Sequence, residues 1–253
     1  QPRINAKINA TKNSKVVYSA NFGSYDNLTD PLFIDKEIDY IYFTDNPEIE
    51  SSVWKIILVE KCPFDSRMTA RIIKHMPHAF LSKYNSSLWV DAQLKIDKAP
   101  LKVLFSELDN SDFICFRHWR RNRLYLEALS CIKNGHDSVY KISSQYFKYK
   151  YNGYIDDKAL IASGVLLRRH MNKNIISFQE KWMNQIYGES IRDQLSFNYV
   201  AFNENLQYSI FNDDMLDIFT QLDHQNYGTY ENGNFSVPIQ RRIYNLLVYL
   251  KIK

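Results

Sequence analysis

An α/β fold, with an open central sheet flanked by helices in a single domain, is predicted by three observations. Short apolar runs bounded by polar turns recur early in the chain, at VVYS (16–19), YIYF (40–43) and WKIILVE (54–60). Runs of that length between turn signals read as strands buried on both faces. From Asp65 the apolar spacing changes to a helical one, and strand-like and helix-like segments then alternate, the order that places helices over a sheet.

Taken in order, residues 1–14 are polar and aperiodic and read as a leader, so the folded domain is placed at 15–253. Val16 to Ser19 form the first strand, and the loop after it, ANFGSYDNL, contains a turn-forming glycine. Tyr40 to Phe43 form the second, closed by Asp45-Asn46-Pro47, and WKIILVE the third. In DSRMTARIIKHMPHAFL, Met68, Ile72, Met76 and Ala79 recur at helical spacing, and Asp65 or Ser66 can cap the helix. Arg67, Arg71 and Lys74 share the opposite face, and Pro77 kinks or ends the helix. SSLWVDAQLKI supplies a strand over 87–91. A helix-like PLKVLFSEL, an apolar run DFICF and a mixed region over 117–160 follow. KALIASGVLLRRH then reads as a strand with an Ala-Ser-Gly entry, NIISFQEKWMNQIY as an amphipathic helix, and SIRDQLSFNYVAF as a helix capped near Ser190. RRIYNLLVYLKI reads as a last helix.

Bulk properties narrow the function classes. The 253 residues are 45% hydrophobic and 15% aromatic, enough for a sizeable core and too much for a disordered chain. A net charge of +4 points to a local anion site rather than a general polyanion binder, so no nucleic acid partner is expected. Cys62, Cys115 and Cys131 are odd in number and lack metal-ligand spacing, which suggests a reducing compartment without disulfides. No apolar stretch approaches the roughly 18 residues of a membrane span, and the N-terminus lacks a signal-peptide core. The expected location is cytoplasmic, or peripheral at a membrane-bound assembly. An Asn-, Lys-, Ile- and Tyr-rich composition resembles that of AT-rich bacterial genomes.

Several side chains invite a chemical reading, and each has a plain structural alternative. Asp91 ends an apolar strand, where it either caps the strand or holds a divalent cation; a basic helix face just before it would complement a diphosphate. Strand alternation would direct Asp91 and Gln93 to one side. In the loop after the first strand, Gly23 permits a tight bend, Tyr25 offers a flat face for a base, and Asn21 and Asp26 offer hydrogen bonds; Asp45 stands at the equivalent place after the second strand. Asp193 and Gln194 fall in the first turn of a helix, where Asp193 either complements the helix dipole or faces a substrate. His118, Arg120, Arg121, Arg123 and Glu127 form either an anion clamp or a surface ion-pair cluster. His224 is either a metal ligand or structural.

Six blocks, VVYSANFGSYDNL, YIYFTDNP, SRMTARIIKHMPHAFL, SLWVDAQL, GVLLRRH and RDQLSFNYV, resemble in that order the glycosyltransferase-like family once catalogued as domain of unknown function 616. They extend from Val16 to Phe202. That family is similar to the retaining GT-A enzymes of glycosyltransferase family 8, which implies a GT-A-like, Rossmann-like mixed sheet. The resemblance implies Asp91 as the first metal-site acid, Ser163-Gly164 beside the donor sugar, Asp193-Gln194 as the catalytic pair and His224 as a metal ligand. It departs at Gln93, where the family 8 pattern has a second Asp.

What the resemblance implies is transfer of a sugar from a nucleotide donor, UDP-linked, to a capsule- or lipopolysaccharide-type glycan, assisted by Mn²⁺ or Mg²⁺. Asn21, Tyr25, Asp45, Arg67, Arg71 and Lys74 would bind the nucleotide, and His118 and Arg121 the donor sugar or acceptor. Asp193 would either deprotonate an acceptor, giving inversion, or steady the oxocarbenium-like state, giving retention. The chain would be a whole enzyme or one domain of a larger one. The competing reading is a non-catalytic module that binds anionic glycan or nucleic acid, to which the interleaved Tyr and Lys of QYFKYKYNGY would contribute.

Overall fold

The structure is a computed structural model that describes residues 13–59 and 64–222. Cys62, His224 and the helix expected at RRIYNLLVYLKI lie outside the described residues. Chain order is β1 (Lys15–Asn21), β2 (Ile38–Thr44), β3 (Lys55–Leu58), α1 (Ser66–His75), α2 (Pro77–Phe80), β4 (Ser86–Val90), β5 (Leu94–Ile96), α3 (Lys102–Ser106), β6 (Phe113–Arg117), α4 (Leu124–Lys133), α5 (Val139–Tyr151), β7 (Ile161–Arg168), α6 (Lys173–Gly188), α7 (Gln194–Asn203), β8 (Ser209–Ile210), α8 (Met215–Ile218) and β9 (Phe219–Gln221). Seven strands form one mixed sheet, ordered β3-β2-β1-β4-β7-β6-β8, and β5 pairs with β9 in a small second sheet.

β1 lies parallel to β2 and β4, β2 to β3, and β7 runs antiparallel between β4 and β6. The C-terminal ends of β1, β2, β3, β4 and β6 and the start of β7 therefore share one edge. Alternation along the strands sorts the core. Val16, Tyr18 and Ala20 of β1, Trp89 of β4 and Leu166 of β7 join one apolar cluster, packed with residues of α1, α4, α5, α6 and α7. Val17, Leu88, Val90, Val165 and Leu167 join the other, under α3, β5, β9 and α8. Burial on both faces explains the near-continuous apolar runs of β1, β2 and β4.

The sheet reproduces the predicted strands, with β1 and β2 longer, β3 shorter than WKIILVE and β4 ending at Val90 rather than at residue 91, and the mixed region 117–160 resolves into α4 and α5. α1 ends at the predicted proline, since Pro77 opens α2 and cannot continue the α1 hydrogen-bond ladder. Asp65 rather than Ser66 caps α1, accepting from the Met68 N–H. The expected Ser190 cap of α7 is corrected to Asp193, whose carboxylate accepts from Gln194 N–H. Ser190 is instead buried and donates to Asp137 at 2.8 Å.

Cys115 and Cys131 are free and buried, and burial pushes the Cys131 thiol up to about 12, so neither supplies a ready thiolate. Among the described residues no helix is long and apolar enough to cross a membrane.

Candidate active site at the C-terminal edge of the sheet

The shared edge gathers side chains from five separate segments. Asp91 follows β4 directly and its backbone N–H donates to Gly164 O at 2.8 Å. The β6–β7 pairing jumps between Cys115, opposite Leu166, and Phe116, opposite Ala162, so Ser163 to Val165 are released from β6 and Gly164 can face the Asp91 turn. A Cβ on Gly164 would stand 3.3 Å from Leu94 Cδ1 and 3.4 Å from Asp91 Oδ2, which makes this glycine a spacer for the carboxylate. Ser163 beside it is buried in the strand.

Asp193 is the focus of the site. Only 2% exposed, its Oδ2 receives Arg71 Nη1 at 2.9 Å and Lys74 Nζ at 2.8 Å, and His75 Nε2 lies 3.4 Å away. Burial acts to raise the Asp193 pKa, but Arg71, Lys74 and His75 overcome it and hold the carboxyl well below the usual carboxylate range. Trp182 fixes the same corner by donating from Nε1 to Asp193 O at 3.0 Å, with its ring 4.1 Å from that of His75. Burial drives the His75 pKa down to about 3, so this imidazole is neutral at pH 7.

Lys74 joins the two acids. Its Nζ lies 3.1 Å from Asp91 Oδ1 as well as 2.8 Å from Asp193 Oδ2, and the side chain is 1% exposed. Arg71 and Lys74 thus share a face, as expected, and what is corrected is its placement opposite the buried side. Lys74 belongs to the buried side of α1, and its side chain reaches toward the helix N-terminus to the sheet edge. Tyr18 pins its backbone by donating to Lys74 O at 2.8 Å.

A second correction concerns Asp91 and Gln93. They do not alternate along a strand, because β4 ends at Val90 and residues 91–93 form a turn in which Leu94 N–H donates to Asp91 O at 2.8 Å. Asp91 Oδ1 also accepts from Trp89 Nε1 at 2.6 Å. Of the expected metal set, His224 is outside the described residues, Gln93 sits in the turn, and Asp91 Oδ1 is already engaged by an indole and an ammonium. Among the described residues no three His, Cys, Asp or Glu groups converge on a point that would hold a metal ion. Within the described residues Asp91 alone of the expected set offers a carboxylate, and Oδ2 is the oxygen that Trp89 and Lys74 leave open.

The loops after β1 and β2 brace each other. Gly23, at φ +70°, donates its N–H to both Asp45 oxygens at 3.0 and 3.1 Å, and Ser66 Oγ stands 3.0 Å from where a Cβ would lie. Asn21 exchanges hydrogen bonds with the Asp26 backbone, so its amide shapes the loop. Tyr25 is half-buried in the same loop.

Beyond α7 the network continues into a group the sequence left ambiguous. Glu127 of α4, buried, pairs with Arg121 and lies 3.8 Å from Arg192 Nη2, with His118 Nε2 at 3.6 Å and Cys131 Sγ at 3.3 Å. His118 Nδ1 accepts from the backbone N–H of Arg120 and Arg121, both at 3.1 Å, and Arg121 Nη2 lies 3.2 Å from its Nε2. Arg192 Nη2 reaches Gln194 Oε1 at 3.3 Å, and Gln194 Nε2 donates to Ile161 O at 3.4 Å. Arg67 contacts His136 O at 3.4 Å. Sequence reasoning offered an anion clamp or a surface cluster here; Glu127 is instead an interior acid that ties both arginines to the wall of the site. Its apolar neighbours in LYLEALSCIK were the available signal.

The family model described as the TOD1/MUCI70 glycosyltransferase-like domain matches residues 4–225. A curated relative, the probable hexosyltransferase MUCI70 of Arabidopsis thaliana, is 28% identical over 213 residues. The alignment takes in 73% of this chain and 36% of the relative, so the chain spans about a third of that protein's length. Among solved structures, mouse xyloside xylosyltransferase 1 in its apo form aligns with a TM-score of 0.47 at 10% identity, over 77% of this chain and 84% of that one.

Proposed function

The chain belongs to the TOD1/MUCI70 glycosyltransferase-like domain family, and from that premise we propose that it transfers a hexosyl-type sugar from a nucleotide-sugar donor, UDP-linked, to a hydroxyl of a glycan acceptor. One observation carries this reading: Asp91 and Asp193, far apart in sequence, meet across Lys74 at the edge where nucleotide-binding α/β sheets place their ligands. The loop held by Gly23 and Asp45 would receive the nucleoside, and the guanidinium groups of the opposite wall the diphosphate.

In the transfer the bond between sugar C1 and the diphosphate oxygen breaks, with its electron pair leaving on the diphosphate. The acceptor oxygen bonds to C1 and passes its proton to the departing diphosphate oxygen. Positive charge develops on the sugar ring and negative charge on the leaving group, and fixed charges reward both. Asp193 is buried, tied to two cations and very weakly basic, which makes it a poor proton acceptor. It suits a positioning residue that holds Arg71 and Lys74, an arrangement that supports retention over base-assisted inversion. Ser163 and Gly164 stand beside Asp91, where a donor sugar would lie.

Release of nucleoside diphosphate from a panel of UDP-, GDP- and CMP-sugars tests the reading, with turnover expected for a UDP-sugar. A chain that binds polyanions in a salt-dependent manner and turns over no donor would be a binding module instead. Gly164→Ala gives a narrower check. The added methyl presses on Leu94 Cδ1 and fills the space against Asp91 Oδ2 while reducing unfolded-chain freedom, so stability by urea denaturation should stay within about 1 kcal/mol of wild type. Donor turnover should fall at least tenfold as the room beside the carboxylate is lost.

A further inference from the structure

We propose that this site meets the charge of a nucleoside diphosphate with resident cations rather than with a divalent metal ion. Lys74 would stand between the two acids, and Arg71, Arg121 and Arg192 would face the diphosphate. The inference rests on the glycosyltransferase reading above and deepens it.

The first argument is occupancy. A metal bound through Asp91 would be confined to Oδ2, since Oδ1 already carries Trp89 Nε1 at 2.6 Å and Lys74 Nζ at 3.1 Å. Lys74 cannot simply swing aside. Its side chain is buried, its Nζ also lies 2.8 Å from Asp193 and 5.6 Å from the Trp89 ring centre, and its backbone is bonded to Tyr18. A divalent ion seated at Asp91 would face a fixed ammonium, a like charge at short range.

The second argument is what surrounds the ammonium. Arg71, Arg121 and Arg192 are 19%, 26% and 24% exposed, and each is tied on one side to a buried carboxylate, Asp193 or Glu127. A guanidinium has five N–H donors, and the carboxylates engage only part of each set; Arg192 Nε is a buried donor with no hydrogen-bond partner. Held this way, the groups are pre-organised for phosphate oxygens, and little side-chain freedom is lost on binding. Together with Lys74 they are four cations against the three carboxylates of Asp91, Asp193 and Glu127. Arg67, which contacts His136 of the same wall, adds a fifth. The excess positive charge complements a diphosphate. Glu127 touches none of the expected ligand and is a positioning residue for Arg121 and Arg192.

Calorimetric titration of UDP and of GDP into the full chain, once with EDTA and once with Mn²⁺, tests this. The expected result is a UDP dissociation constant that differs less than threefold between the two conditions. A double variant, Arg121→Gln with Glu127→Gln, removes the cation together with its buried counter-charge and leaves Arg192 held by Gln194 Oε1. It should bind UDP about tenfold more weakly in EDTA. Binding that appears only with Mn²⁺ would overturn metal independence and leave the glycosyltransferase reading standing. Unchanged affinity in the double variant would overturn the role of the guanidinium wall. Failure of both nucleotides to bind under either condition would overturn the proposal and that reading together.

Discussion

Asp193→Ala is expected to abolish sugar transfer and to lower folding stability by about 3–5 kcal/mol, the range for breaking a buried ion pair from one side. The substitution leaves Lys74 and Arg71 without the carboxylate they share, and Lys74 is almost wholly inaccessible to water that would otherwise compensate it. It also removes the α7 cap. Asp193→Asn separates the two effects. The amide keeps the shape and a capping oxygen but not the charge, and Lys74 retains Asp91, so the stability cost should drop to about 1–3 kcal/mol while activity remains lost. Urea denaturation monitored by tryptophan fluorescence reads the first quantity, since Trp182 donates to Asp193 O and Trp89 to Asp91. Equal costs for the two variants would show that the charge contributes nothing to the fold.

Acid should unfold the protein from well above the carboxylate range. Burial lowers the pKa of His75 to about 3 and that of His170 to about 4, and both rings are fully enclosed. In the unfolded chain each titrates near 6.5, so below that pH the unfolded state binds protons that the folded state refuses. Their contribution is complete above about pH 6.5 and is lost as pH falls toward the folded values. Two such groups give a slope approaching about 2.7 kcal/mol per pH unit near pH 5. Asp193 adds to the loss only lower down, because its depressed pKa contributes stability above about pH 4 that is surrendered as pH falls toward its folded value. His170→Gln should lower the slope near pH 5 by about 1.4 kcal/mol per pH unit, one group's share beside His75 and the likewise depressed His136, since its Nε2 contact to Leu81 O at 3.0 Å can be kept by an amide and the titration cannot. An unchanged slope in that variant would remove His170 from the account.

The strands were legible because burial on both faces leaves an unbroken apolar run, as in SSLWV, and the end of β4 at a carboxylate pointed to the edge where the candidate site is placed. Family membership was likewise readable from blocks spread along the chain. What sequence spacing missed has a common cause. Helical periodicity assigns Lys74 to a polar face because it counts lysine as exposed, whereas two acids from distant segments make burial of its ammonium feasible. Alternation carried Asp91 and Gln93 to one side only on the assumption that the strand continues, and the turn after Val90 ends it. Glu127 looked like an exposed partner of nearby arginines. Its burial depends on Arg192, which is 65 positions away and reaches it only through the approach of α7 to α4.

The account stands most directly on where a nucleoside diphosphate binds, which a crystal structure of the chain with UDP would show. The expected position is across the C-terminal ends of β1 and β4, between the Gly23 bend and the Arg71, Arg121 and Arg192 wall. The opposite edge carries a groove of about 680 Å³ lined by Asn110, Asp112, Arg169 and Asn174. Nucleotide bound in that groove, or anywhere remote from Asp91 and Asp193, would contradict the assignment.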